Sequence, residues 1–118
     1  MRELVATTFV TLDGVMQAPG GPGEDEEGGF KYGGWSVNYW DDVMNQIMSE
    51  FMGKPFDLVL GRKTYDIFAS YWPTASDEAT AKPLNDATKY VASRGRPELS
   101  WDKSVLIEGD VVQGVSAL

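Results

Sequence analysis

The stretch Phe56-Asp57-Leu58-Val59-Leu60-Gly61-Arg62-Lys63-Thr64 passes within nine residues from a nearly continuous apolar run to a glycine, two cations and a hydroxyl. A short apolar run bounded by turn residues is what a strand covered on both faces requires, so residues 56–60 predict a buried strand. Residues 64–69 continue as a short helix carrying Tyr65 and Phe68, broken at Tyr71-Trp72-Pro73. Gly61 to Thr64 therefore fall between a strand end and a helix start. There, backbone amides and the helix dipole suit a phosphate, with Arg62, Lys63 and Thr64 as side-chain donors. The competing reading of the same four residues is a glycine turn with solvated bases. The spacing is neither a Walker A loop nor a G-x-G-x-x-G dinucleotide fingerprint.

Working outward, Asn38 to Met52 changes period. Trp40, Val43, Met44, Ile47, Met48, Phe51 and Met52 recur at three and four, giving one apolar stripe on a helix, with Ser36 or Asn38 as its cap. Leu4 to Leu12 is rich in β-branched and aromatic residues and predicts a buried first strand ending at the turn pair Asp13-Gly14. Residues 18–34 hold many glycines and the acids Glu24 to Glu27, and predict a long mobile loop. Downstream, residues 74–86 are small and polar. Lys89–Ser93 and Ser104–Ile107 predict two further strands, and Asp110 caps a last helix carrying Val111, Val115 and Leu118. Strands alternating with helices imply a parallel α/β sheet whose strand C-termini share one ligand-binding edge.

Composition narrows the chemistry. The 118 residues suffice for one domain. With no cysteine and no histidine, the chain cannot be a Ser-His-Asp or Cys-His hydrolase, a zinc deaminase or a zincin-type protease. A net charge of −8 opposes nonspecific attraction to nucleic acid or anionic membranes. The N-terminus reads as neither signal peptide nor membrane span, so a cytoplasmic protein is expected. Against this acidic background, Ser93-Arg94-Gly95-Arg96 forms a second basic cluster at a strand end. Two such clusters suit one small polyanionic ligand, the second suiting a 2′-phosphate; in isolation it also reads as a solvent turn. Asp41-Asp42 compensates a helix dipole, or places one carboxylate, desolvated by Trp35, Tyr39 or Trp40, to bind a heterocycle or assist protonation.

Taken in order, Phe9-Val10-Thr11-Leu12-Asp13-Gly14-Val15, Gly33-Gly34-Trp35, Leu58-Val59-Leu60-Gly61-Arg62-Lys63-Thr64-Tyr65 and Tyr71-Trp72-Pro73 resemble the dihydrofolate reductase superfamily. The likeness is to its bacterial branch related to the C-terminal reductase domain of the bifunctional riboflavin biosynthesis protein. It implies a three-layer α/β/α fold around a mainly parallel sheet, NADPH as hydride donor, and a pterin or ribosylaminopyrimidine substrate. By the same resemblance, Gly61, Arg62, Lys63 and Thr64 touch the cofactor phosphates, and Ser93 and Arg94 contact the adenosine 2′-phosphate. Thr11 and Gly14 flank the nicotinamide, Trp35 is the candidate substrate contact, and Asp42 is the candidate acid, with Asp41 beside it. No metal site is expected. The resemblance covers residues 1–118 as about the first two-thirds of a single domain, without the family's C-terminal strands. A possible homodimer and a nonenzymatic NADPH-binding or regulatory module are the companion expectations.

Overall fold

The apolar run at 56–60 does enter a sheet. In the computed structural model of the chain, which describes residues 2–118, β1 (Leu58–Gly61), β2 (Lys89–Ala92) and β3 (Ser104–Leu106) form a three-stranded parallel sheet in the order β1-β2-β3. The register pairs Leu58 with Lys89, Leu60 with Val91 and Gly61 with Ala92, and on the far side Lys89 with Ser104 and Val91 with Leu106. Among the described residues, four α-helices accompany it: α1 (Asp42–Met52), α2 (Arg62–Tyr71), α3 (Glu78–Asp86) and α4 (Val111–Ser116). The chain thus has an α/β fold with a small parallel sheet. Contacts divide it into two compact units, Met1–Gln46 and Ile47–Leu118. Among the described residues, no helix is long and apolar enough to cross a membrane.

Side chains alternate across a strand, so the register puts Leu58, Leu60, Lys89 and Val91 on one face. That face meets the core of the second unit, where Leu60 and Val91 pack with Tyr65, Leu84 and Trp101, flanked by Phe56, Phe68, Trp72 and Leu99. The opposite face carries Val59, Tyr90 and Val105. Val59 is 39% exposed and Val105 46%. The expectation of a strand covered on both faces is therefore corrected: β1 is buried on one face, and its apolar character outruns its cover.

Three further readings change. Residues 2–10 have no strand partner, and Leu4, Val5 and Val10 are more than half exposed, so the first strand predicted at Leu4–Leu12 is absent as a buried element. High β-propensity describes a fit to a pleated, half-buried surface, and without a ladder it does not make a strand. The small polar stretch 74–86 contains α3. Its buried residues, Ala81 and Leu84, and the buried Ala87 that follows, recur every third residue. Pro83 and several short polar side chains hide that period. Finally, the helix at 38–52 begins only at Asp42, after a separate 3₁₀ turn at Val37–Tyr39.

The loop at 18–34 is also more ordered than its composition suggests. The Glu24 carboxylate accepts from the amides of Gly20 (2.6 Å) and Gly21 (3.1 Å). Gln17 Nε2 donates to the carbonyls of Asp25 and Glu27. Trp35 Nε1 donates to Gln17 O at 2.9 Å, Ser36 Oγ to Pro19 O at 2.7 Å, and Gly34 N to Ala18 O at 2.8 Å. Gly33 packs so closely that a Cβ there would lie 2.7 Å from Gly21 O, and Gly34 adopts φ +78° against Pro22. The result is an Ω-type loop closed by its own hydrogen bonds.

Polar groups lock the core. The buried Tyr65 hydroxyl accepts the Trp101 amide at 2.9 Å, and Trp101 Nε1 donates to Asn85 Oδ1 at 2.7 Å. Asn85 Nδ2 donates to Trp72 O at 3.0 Å. Lys89 is fully buried. Its ammonium donates to Asn85 O (2.6 Å) and Asp102 O (3.1 Å) and sits 4.2 Å from the centre of the Trp101 ring. Carbonyl dipoles and the ring's negative face replace part of the lost hydration.

Tyr65→Phe leaves the buried Trp101 amide without its acceptor, so urea denaturation should show a loss of about 1–3 kcal/mol. Lys89 supplies a pH test. Desolvation by burial, helped by Lys103, lowers its pKa from the ordinary 10.5. Between the folded pKa and 10.5 the unfolded chain binds more protons at this site, so this residue's contribution raises stability as pH climbs through that interval. Lys89→Met should abolish that increment, read as the difference between the two proteins' stability-against-pH curves.

Candidate functional site

The parallel register decides which residues can meet. Gly61 and Ala92 are paired, so the chain leaves β1 and β2 side by side at the same edge, on strands about 4.8 Å apart. Arg62-Lys63-Thr64 and Ser93-Arg94, separated by some thirty residues of sequence, thereby become neighbours at the C-terminal edge of the sheet.

Local structure fixes what each group presents. Gly61, with φ −68° and ψ 155°, is the N-cap of the ten-residue α2 and supplies no side-chain cap. The first-turn amides of α2 thus have no capping side chain, and donors of this kind attract anions. A Cβ built on Gly61 or on Gly95 would meet nothing within 4 Å, so the backbone at both turns is open to close approach. Arg62, Lys63, Thr64 and Arg94 are exposed and Ser93 is half-buried.

The arginines differ. Arg62 Nε donates to both oxygens of Asp66, at 2.8 and 2.7 Å, so its guanidinium is partly neutralised by the next turn of its own helix. Its terminal nitrogens keep further donor capacity. Arg96 pairs with Glu108 at 3.2 Å, bridging the segments that follow β2 and β3. Ser93 Oγ accepts from Gly95 N at 3.3 Å, shaping the turn that carries Arg94. Glu108 is a partner that spacing does not disclose, because it lies across the edge on the segment after β3, whereas Asp66 stands at the i,i+4 spacing of a helical pair with Arg62.

The remaining candidates belong to the N-terminal unit. Thr11 and Gly14 form a tight turn. Gly14 N donates to Thr11 O (3.0 Å), Val15 N donates to Thr11 Oγ1 (2.8 Å), and the Thr11 hydroxyl donates to the Asp13 carboxylate. That hydroxyl, with the Asp13 backbone, holds the Asp13 carboxyl below its ordinary value of 3.8. Gly14 has φ +90° and open space around it. Trp35 is half-buried and braces the Ω loop through its indole N–H, so its visible task is structural.

The acid pair separates cleanly. Asp41 Oδ1 accepts the Met44 amide at 2.9 Å, and its carbonyl accepts Asn45 N at 3.0 Å. Asp41 is therefore the N-cap of α1, in place of the expected Ser36 or Asn38. Asp42 is the first helical residue and is exposed. Glu24, read from sequence as part of a solvated acidic run, is committed to loop amides. Among the described residues, no group of three or more acidic side chains is placed to hold a metal ion.

No protein-family model matches the chain, and no curated protein matches it.

Asp41→Ala removes a cap and should cost about 1 kcal/mol. Asp42→Ala should change stability by about 0.5 kcal/mol or less. Thermal unfolding of the two variants side by side checks the division of roles.

Proposed function

We propose that the chain is an NADPH-dependent reductase of the dihydrofolate reductase kind, acting on a pterin or ribosylaminopyrimidine. The observation that carries the reading is the Gly61–Ala92 pairing, which sets the uncapped start of α2 beside Ser93 and Arg94. A dinucleotide with a 2′-phosphate matches such an edge because it offers two separate anionic groups. Its pyrophosphate would lie on the α2 amides with Arg62, Lys63 and Thr64, over the open space at Gly61. The 2′-phosphate would be taken by Ser93 and by Arg94, whose planar fork suits phosphate oxygens.

The cofactor, when bound, supplies the hydride. The protein's part is to bind and orient it, with Thr11 and Gly14 assigned to the nicotinamide end and Trp35 to the substrate. Asp42 is assigned to hydrogen-bond the heterocycle or hand on a proton. A mechanism of this type requires neither histidine nor cysteine, which the chain lacks. One observation favours the companion reading of a nonenzymatic NADPH-binding module: Asp42 is exposed, whereas a carboxyl poised for proton transfer near neutral pH is ordinarily desolvated.

Fluorescence titration with NADPH and NADH tests the cofactor site. The reductase and module readings both require preference for NADPH, weakened by salt. Arg94→Ala should weaken NADPH binding by about tenfold or more and leave NADH binding nearly unchanged, the loss expected for a charged hydrogen-bonding partner. Arg62→Ala should weaken both, by less, because Asp66 already offsets its charge. Equal affinity for the two dinucleotides, or none for either, overturns both readings. Tight NADPH binding without oxidation of NADPH by pterin or ribosylaminopyrimidine substrates selects the module.

A further inference from the structure

Asp13-Gly14 is the one Asp-Gly pair in the sequence, which has no Asn-Gly. Such a pair holds a nucleophile beside an electrophile. Glycine has no Cβ to shield its nitrogen, so Gly14 N can attack the carboxyl carbon of the Asp13 side chain. An N–Cγ bond forms, the amide proton and the carboxyl hydroxyl leave as water, and a five-membered imide results. Addition of one water reopens the ring, either to aspartate or to isoaspartate, in which the chain runs through the side-chain carboxyl. No oxidant or reductant enters, and the product has the mass of the parent. Asp13 and Gly14 are exposed, and a Cβ built on Gly14 would meet nothing within 4 Å, so water and a modifying enzyme can reach the bond.

The turn opposes each step of that reaction, and Thr11 takes part in every contact. Thr11 N donates to Val15 O (2.9 Å) and Gly14 N donates to Thr11 O (3.0 Å). With Gly14 at φ +90°, this is the bonding of a three-residue hairpin loop closed by a left-handed glycine. The nitrogen that must attack is therefore engaged as a donor. Rotation about the Asp13 Cα–C bond, which would carry it onto the side chain, disrupts both bonds. The Thr11 hydroxyl donates to the Asp13 carboxylate and accepts Val15 N at 2.8 Å, which holds the side chain in place. The same hydroxyl, with the Asp13 backbone, keeps this carboxyl below its ordinary 3.8. Ring closure needs the carboxyl neutral, because an ionised one cannot release its oxygen as water.

We propose that Asp13-Gly14 is an isoaspartate-forming modification site that Thr11 keeps latched. The latch consists of three polar groups of one residue, N, O and Oγ1, so release of Thr11 frees nucleophile, carboxyl and backbone at once. The modification is also self-locking. An isoaspartyl link adds one methylene group to the backbone, so the loop between Thr11 and Val15 no longer has the spacing of its hydrogen bonds, and the latch does not re-form around the product. The latch is independent of the reductase reading, since it concerns the covalent link at residue 13 whatever the chain binds.

Incubation of the full chain at neutral pH and physiological temperature, followed by peptide mapping and labelling with an isoaspartate methyltransferase, measures the rate at residue 13. Thr11→Val keeps the β-branched shape and removes the hydroxyl. It should speed isoaspartate formation by about tenfold, the factor expected when a hydrogen bond to a charged group is lost from the unreacted state. Thr11→Ser keeps the hydroxyl and should stay near the parent rate. Ser36→Ala removes a hydrogen bond to Pro19 O in the same unit, away from the turn, and should also stay near it. The parent unfolded in guanidinium chloride has no latch and should react at least as fast as Thr11→Val. That comparison needs no substitution and holds even where Thr11→Val fails to fold. Equal rates for the folded and unfolded parent overturn the proposal. So does a Thr11→Val rate equal to the parent's, a Thr11→Ser rate equal to that of Thr11→Val, or the same acceleration in Ser36→Ala.

Discussion

The buried contact of Lys89 with Trp101 is the constraint around which the second unit is arranged. A charge inside a core of Leu60, Tyr65, Leu84 and Val91 survives only if dipoles replace its water. Here Asn85 O ends a helix, Asp102 O lies in the β2–β3 connection, and the indole face closes the third side. Each partner is fixed in turn: Asn85 holds the Trp101 indole and the Trp72 carbonyl, while Tyr65 holds the Trp101 amide. Three stretches distant in sequence are thus held by one polar network, and among the described residues no buried side-chain polar atom is left without a partner. Apolar packing supplies area in this core, and the network supplies its registration.

How far the sequence could be read follows from the length of each physical signal. β1, β2 and β3 were legible because apolar runs beside glycine or charged turns carry their own boundaries. The Asp110 cap of α4 was legible because Asp110 Oδ1 meets the Gln113 amide three residues on. The α2 start was legible to within two residues for the same local reason. Less was available at 74–86, where Pro83 and short polar side chains mask the three-residue period of Ala81, Leu84 and Ala87. At Leu4–Leu12 propensity misled, since pairing depends on a partner strand that local sequence does not encode. The Lys89 environment was beyond reach, because every group that makes it tolerable lies elsewhere in the chain.

At the candidate site, the clusters themselves were visible in sequence, but what their charges do depends on register. Gly61 beside Ala92 turns two isolated basic turns into one edge. Asp66 and Glu108 then divide the cations into those already paired, Arg62 and Arg96, and the exposed Arg94. An edge of this kind is selective in its electrostatics: it offers amides and one fork of donors without a large positive field.

The Ω loop bears on how this chain tolerates change. Long surface loops ordinarily accept substitutions and insertions more freely than the elements they join. Here backbone touches backbone at Gly33, and Gly34 holds a left-handed conformation against Pro22. Glu24 spans two amides that one added residue would pull apart. A segment whose composition suggests a permissive linker is therefore as restricted in sequence as a packed interior.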